Sequence, residues 1–223
     1  MSEFPSCWSC STALTSSALL CPACNKVQPA STADYFQAFG LERKLALDTA
    51  ALEKEFHRLS RRLHPDRFAR ATPEEQQWSL ANTALLNDAY RTLRDSLQRT
   101  EYLLKLEGLE IGEEHAGKGK TRQPPADLLE EVFDLNMQLE EMRAAKTMGE
   151  EDPALKQSLS EAKKKFDGLL DDVDQDLRSQ WTAWDDGDES ARNAAQKTMV
   201  ALLDRRRYLN NLVRDVTETL GAN

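Results

Sequence analysis

The sequence predicts a mainly α-helical protein with a helical hairpin, a C-terminal three-helix bundle and a small N-terminal tetracysteine segment. Three observations predict this. Apolar residues recur at steps of three and four along most of the chain after residue 34. Prolines and capping residues cut those rows into helices of ordinary length. All four cysteines lie in the first segment, as two Cys-x-x-Cys pairs.

The pairs are Cys7-Trp8-Ser9-Cys10 and Cys21-Pro22-Ala23-Cys24, spaced C-x2-C-x10-C-x2-C. Each pair can wrap a tight turn around one ion. Two such knuckles supply four thiolates in a tetrahedron, which suits structural Zn²⁺. A segment of about 30 residues has too little core to fold alone, so the metal supplies much of its folding free energy. Four thiolates also suit iron, in a rubredoxin-like site or an iron–sulfur cluster. Two disulfides are the third reading, and nothing in the sequence points to secretion. No histidine or carboxylate falls inside the cysteine interval, so hydrolytic zinc chemistry is not indicated.

Pro29-Ala30-Ser31-Thr32 reads as a short linker, with Ser31 or Thr32 capping a brief helix that holds Tyr35, Phe36 and Phe39 and closes at Gly40. Asp48 is the expected N-cap of the next helix, whose apolar row is Leu52, Phe56, Leu59 and Leu63. Lys54, Arg58, Arg61 and Arg62 occupy a different face. Pro65 disfavours helical geometry at His64, so this helix ends there. Thr72-Pro73-Glu74-Glu75 is a capping box with proline at the first helical position, and it opens a helix to about Arg94. Trp78, Ala81, Leu85, Ala89 and Leu93 form its expected row. Between the two lies a bare His64-Pro65-Asp66-Arg67 tip, with Arg70 beyond it. The plainest alternative is a helix-turn-helix hairpin with a buried histidine. Asp95 or Ser96 caps a further short helix through Leu106, with Tyr102, Leu103 and Leu106 apolar and Gly108 at C′.

Residues 109–125 have no apolar period. They carry Gly112, His115, Gly117, Gly119 and a Pro-Pro pair, and read as a flexible linker. Three helical patterns follow. The first runs from about Asp127 to Lys146 on Leu128, Val132, Leu135, Leu139 and Met142. Pro153 opens the second, on Leu155, Leu159, Ala162, Phe166, Leu169, Val173 and Leu177, with Trp181 and Trp184 prolonging it or closing the bundle end. After an expected turn at Asp185–Asp188 the third carries Ala191, Ala195, Thr198, Leu202, Leu209, Leu212, Val216 and Leu220. Short connections make neighbours antiparallel. The first bundle helix has a second apolar file, Leu129, Phe133 and Met137, beside its core row. One stripe about 100° wide suffices for a bundle helix, so this file is either a wider core face or an exposed sticky surface. Tyr208 lies one residue off the third helix's row and could border the same surface.

The expected domains are therefore residues 1–30, 33–108, the linker 109–125, and 126–223. A net charge of −9 argues against a nucleic-acid partner, and makes the basic helix before His64 a local exception suited to an acidic protein surface. No apolar run approaches the ~20 residues that span a bilayer. Neither a signal peptide nor an Arg-rich transit peptide is evident, so a soluble intracellular protein is expected. With three histidines and no cysteine beyond Cys24, a catalytic Cys/His pair is poorly supported.

The tip and its flanks, Asp34-Tyr35-Phe36-Gln37-Ala38-Phe39-Gly40-Leu41 and Asn87-Asp88-Ala89-Tyr90-Arg91-Thr92-Leu93, resemble the J domain, the module that stimulates DnaK-type chaperone ATPases. The order of segments, with Arg99-Thr100-Glu101-Tyr102-Leu103-Leu104 and Leu128-Leu129-Glu130-Glu131, resembles the HscB family of iron–sulfur cluster co-chaperones from Ser6 to Leu220. The match is weaker in the C-terminal part. The resemblance implies no enzyme and no nucleotide bound by this chain. It implies that His64, Pro65, Asp66, Arg67 and the basic face (Lys54, Arg58, Arg61, Arg62) dock on an HscA/DnaK-type chaperone. Leu129, Phe133, Met137 and Tyr208 would hold an IscU-type scaffold, with Cys7, Cys10, Cys21 and Cys24 on zinc. Location would be cytoplasmic in a bacterium, or the mitochondrial matrix for a processed eukaryotic form. A general J-domain co-chaperone for unfolded clients, and a thiolate-metal redox enzyme built on the cysteines, are the alternatives.

Overall fold

The computed structural model describes residues 6–14, 18–29, 32–109 and 125–221. The chain divides into two compact units, residues 1–108 and 109–223. Most of the expected linker lies outside the described residues, as does Ser31.

In the first unit, Asp34 rather than Ser31 or Thr32 caps α1 (Tyr35–Ala38), through a capping box with Gln37. The nearer carboxylate wins because it reaches the Gln37 N–H at 2.8 Å. Asp48 accepts from the N–H groups of Ala50 and Ala51 and starts α2 (Thr49–Leu63). Leu52, Leu59 and Leu63 of α2 are buried. Phe56 is half-buried and stacks on Tyr90 with ring centroids 4.1 Å apart. The Thr72–Glu75 capping box starts α3 (Pro73–Arg94), and Asp95 caps α4 (Ser96–Leu106). Buried Arg99 donates to the carbonyls of Leu45 (2.8 Å) and Leu93 (2.5 Å), tying α4 to the loop before α2 and to the end of α3. Tyr102 stacks on Tyr35 at 4.3 Å and accepts that residue's N–H, which fixes α1 to α4.

The buried face of α3 is not the expected one in its first half. Glu75, Ser79 and Asn82 are buried there, while Trp78 and Ala81 are only partly covered, and just beyond them Leu86 is buried in place of the expected Leu85. Glu75 and Asn82 meet the tetracysteine segment, which supplies Lys26 and the Gln28 carbonyl as their hydrogen-bond partners, while Ser79 donates to the Leu63 carbonyl of α2. An apolar-periodicity reading has no means of locating polar residues buried by a neighbour.

In the second unit, a 3-10 turn (Ala126–Leu128) leads into α5 (Leu129–Met148), which ends at Gly149 in left-handed geometry. Asp152 and Pro153 open α6 (Pro153–Asp186), and Asp188 caps α7 (Glu189–Leu220). The expected turn at Asp185–Asp188 shrinks to Gly187 and Asp188, so Trp181 and Trp184 prolong α6. The shared core joins Leu128, Val132, Leu135, Leu139 and Met142 to Leu159, Phe166 and Val173 and to Leu209, Leu212 and Val216. Arg205 grips Asp127 with two bonds of 2.9 and 2.8 Å at one end of α5, and Lys146 donates to the Thr219 carbonyl at the other.

These ties place α5 beside only the C-terminal half of α7. Helices of 34, 32 and 20 residues are about 51, 48 and 30 Å long, so α6 and α7 run on past α5 as a two-helix hairpin. The buried apolar residues of this stretch are Leu177 on α6 and Ala195, Met199 and Leu203 on α7. Met199 and Leu203 are buried where the row on Thr198 and Leu202 was expected, while Leu202 is only partly buried. A helix facing one partner presents a narrower stripe than one facing two.

Gly187 makes the tight reversal possible. A Cβ there would sit 2.1 Å from the Ala183 carbonyl oxygen and 2.8 Å from the Ala191 Cβ. Gly187→Ala therefore forces backbone to move and is expected to cost about 1–3 kcal/mol of stability, read as a lower Tm. An unchanged Tm would show that the reversal is looser than this geometry.

Candidate functional site

The tip is shaped by what stops α2. Pro65 follows His64, whose ψ of 129° leaves the helix, and Pro65–Phe68 forms a 3-10 turn. The Leu63 carbonyl is caught from α3 by the hydroxyls of Ser79 (2.5 Å) and Thr83 (3.2 Å). His64 is exposed, and its Nδ1 accepts the Asp66 N–H at 3.3 Å. The Asp66 side chain is 89% exposed, with a carboxylate oxygen 3.5 Å from the same ring nitrogen. His64 is thus not a buried hairpin histidine: it and Asp66 are held in register and turned outward.

The four basic residues are not equivalent. Arg58 donates to both oxygens of Glu55, at 2.7 and 2.5 Å. That hydrogen bond, foremost among the causes, raises the Arg58 pKa and lowers that of Glu55. Arg62 is half-buried and donates to the Asn25 side chain. Lys54 and Arg61 are exposed and make no ion pair among the described residues. The i,i+3 spacing of Glu55 and Arg58 was legible in the sequence. The Arg62–Asn25 bond, across 37 positions, was not.

The four cysteine sulfurs lie within 4.8 Å of one another. Each knuckle is a copy of the other. Cys7 N–H donates to Thr12 and Ser11 N–H returns to Cys7, while Cys21 N–H donates to Lys26 and Asn25 N–H returns to Cys21. Ser11 and Asn25 hold the same left-handed turn, each at φ 60°. All four thiols are free. Sulfurs of Cys7 and Cys24 stand 3.7 Å apart and those of Cys10 and Cys21 3.6 Å, far beyond a disulfide bond. A tetrahedron with metal–sulfur bonds of about 2.3 Å has edges of about 3.8 Å, so these spacings fit a four-thiolate metal site. Burial raises the Cys7 thiol pKa, but the N–H groups of Cys10 and Ser9 outweigh it and bring it to about 6. Cys24 accepts from Lys26, which lowers its pKa; burial and the crowding sulfurs nevertheless push it to about 11. A cation bound by the four sulfurs would displace the protons they carry.

On the second unit, Leu129, Phe133 and Met137 are 54%, 64% and 47% exposed, one position beside the buried row of α5. The file is therefore surface and not a wider core. Tyr208 differs: it is partly buried and packs against the core. With Pro125, Thr198, Ala201, Leu202 and Arg205 it lines a concavity of about 500 Å³ that does not include the α5 file.

No protein-family model matches the chain. Among curated proteins, the chain is 34% identical over 153 residues to the human iron-sulfur cluster co-chaperone protein HscB, covering 67% of this chain and 63% of that one. It is 40% identical over 111 residues to a co-chaperone protein HscB homolog of Vibrio cholerae, covering 50% and 62%. The chain thus spans less than two thirds of the length of these relatives. Among solved structures, human co-chaperone protein HscB superposes with a TM-score of 0.67 at 26% identity, over 96% of this chain and 98% of that one. HscB from Vibrio cholerae does so with a TM-score of 0.56 at 25% identity, over 83% and 96%. No helix among the described residues is long and apolar enough to cross a membrane.

Proposed function

We propose that this homologue of the HscB co-chaperones binds an IscU-type iron–sulfur scaffold protein and delivers it to an HscA/DnaK-type chaperone, whose ATPase it stimulates. The observation that carries the reading is the pairing, in one chain, of an outward-facing His64-Pro65-Asp66 tip with an exposed Leu129-Phe133-Met137 file on the other unit. The tip and the basic face engage the chaperone. The file, bordered by Glu130, Glu140 and Glu141, gives an apolar centre with a charged rim, the usual anatomy of a protein interface. Residues 109–125 serve as the linker that keeps client near chaperone. The chain itself performs no chemistry on ATP.

The test is a chaperone ATPase titration with and without scaffold, beside a pull-down against folded scaffold and denatured proteins. Stimulation with selectivity for the folded scaffold is the expected result. Equal capture of many denatured proteins would instead favour a general co-chaperone.

Salt should weaken the chaperone encounter, because exposed charges are screened. Arg61→Ala and Lys54→Ala are expected to lower the association rate more than Arg58→Ala, since Glu55 already engages Arg58. Equal rates at low and physiological salt would remove the basic face from the interface.

Cys7, Cys10, Cys21 and Cys24 hold one structural zinc in this reading, and metal analysis after anaerobic purification should return one equivalent. The affinity should rise with pH through neutrality, because the thiols must give up their protons to bind the ion and the crowded Cys24 thiol holds its proton above the usual range. Iron at full occupancy with no zinc would replace this assignment.

A further inference from the structure

The tetracysteine segment lies across both helices that flank the tip. From its second knuckle, the Asn25 side chain accepts from Arg62, two residues before His64 at the end of α2. Lys26 makes a 2.8 Å ion pair with Glu75, in the first turn of α3. Glu75 is 3% exposed, and its other carboxylate oxygen accepts the Thr72 N–H that closes the capping box. Two turns further on, Asn82 donates to the Gln28 carbonyl at 3.0 Å. Gln28 in turn reaches back to the Lys26 carbonyl at 2.8 Å and to the Cys7 sulfur at 3.5 Å. Trp8, from the first knuckle, packs edge-on against Trp78 at 5.7 Å and donates to the Val27 carbonyl.

These contacts have a common origin. Asn25 and Lys26 directly follow Cys24, and the turn that presents them is closed by the bonds Asn25 N–H to Cys21 and Cys21 N–H to Lys26. A turn of this kind persists only while its thiolates share an ion, because the segment has almost no apolar core of its own. The buried Glu75 carboxylate is costly without its cation. Ser79 and Thr83, on the same stretch of α3, hold the Leu63 carbonyl that sets where the tip begins.

We propose that the metal-loaded tetracysteine segment is a positioning element for the His64-Pro65-Asp66 tip, acting through Asn25 on Arg62 and through Lys26 on Glu75. Loss of the metal loosens the tip while α2, α3 and α4 stay folded. Oxidation of the four thiolates to two disulfides would have the same effect: two equivalents of peroxide are reduced to water, or two of a small disulfide to thiols, with protons from solvent, and the ion is released. The functional half of this proposal rests on the co-chaperone reading above; the structural half does not.

Hydrogen exchange of the full chain tests it, with and without chelator, beside Lys26→Met and Asn25→Gly. Glycine keeps the left-handed turn and removes only the side chain. Amides of residues 60–75 are expected to exchange roughly tenfold faster in the metal-free protein and in the double variant, with residues 129–220 unchanged as an internal reference. Lys26→Arg should restore the slow rate. In a chaperone titration the half-maximal concentration should rise several-fold with maximal stimulation retained, since the tip residues are still present. Unchanged exchange at the tip in the metal-free protein overturns the proposal. So does collapse of α2 to α4 on chelation, which would make the metal a condition of folding. If His64→Gln leaves stimulation intact, the co-chaperone reading fails while the exchange result still stands.

Discussion

His64→Gln is expected to abolish chaperone stimulation while leaving Tm and scaffold affinity where they were. The two halves of this expectation have separate causes. His64 packs into no core, and its side chain bonds only the Asp66 N–H and lies near the Asp66 carboxylate among the described residues. A surface change of this kind usually stays within about 0.5 kcal/mol of the parent. The tip's framework is made elsewhere, by Pro65 and by the Ser79 and Thr83 hydroxyls on Leu63. Glutamine keeps a polar side chain of similar reach but loses the ring that faces Asp66. The measurement is single-turnover ATP hydrolysis by the chaperone, with circular dichroism as the fold check. Surviving stimulation in a folded variant would show that the tip is not the working element.

The second large effect is expected on α5. Phe133→Ala removes a ring that is 64% exposed, so it leaves no cavity and Tm should hardly move. Truncating a central interface aromatic typically costs about 2 kcal/mol or more of binding, roughly a thirtyfold loss of scaffold affinity. Leu129→Ala, one turn away, should behave alike and more weakly. Tyr208→Ala should not, because Tyr208 packs on the bundle core and its truncation is expected to lower Tm as well. Calorimetry for scaffold affinity and thermal melts on the three variants separate these outcomes. Unchanged affinity for folded Phe133→Ala would move the scaffold site off α5.

Much of this was legible in the chain itself, and what was not has a physical reason. Local signals were reliable wherever one residue acts on its own helix. Asp48, the Thr72–Glu75 box, Asp95 and Pro153 each mark the start that the structure shows. The α5 rows were also separable, since a one-residue offset on a helix turns a side chain by about 100°. Signals that depend on a distant partner were lost. Glu75 and Asn82 look like a solvated face until Lys26 and Gln28 are brought to them, and Ser79 until it meets the Leu63 carbonyl. Arg62 looks like one more free cation until Asn25 is found beside it. On α7, the shift to Met199 and Leu203 reflects a helix that changes from one neighbour to two partway along, which no single period encodes.

The length mismatch between α5 and its two partners has a consequence for how the second unit comes apart. Where only α6 and α7 face each other, each buried side chain is covered by one partner instead of two, so less apolar contact opposes opening. That end should breathe first, and a protease at low dose should nick the chain near residues 175–200 before it touches α5. The clipped protein would keep the Asp127–Arg205 clasp and the Phe133 surface, because both lie on the part of the bundle that three helices hold.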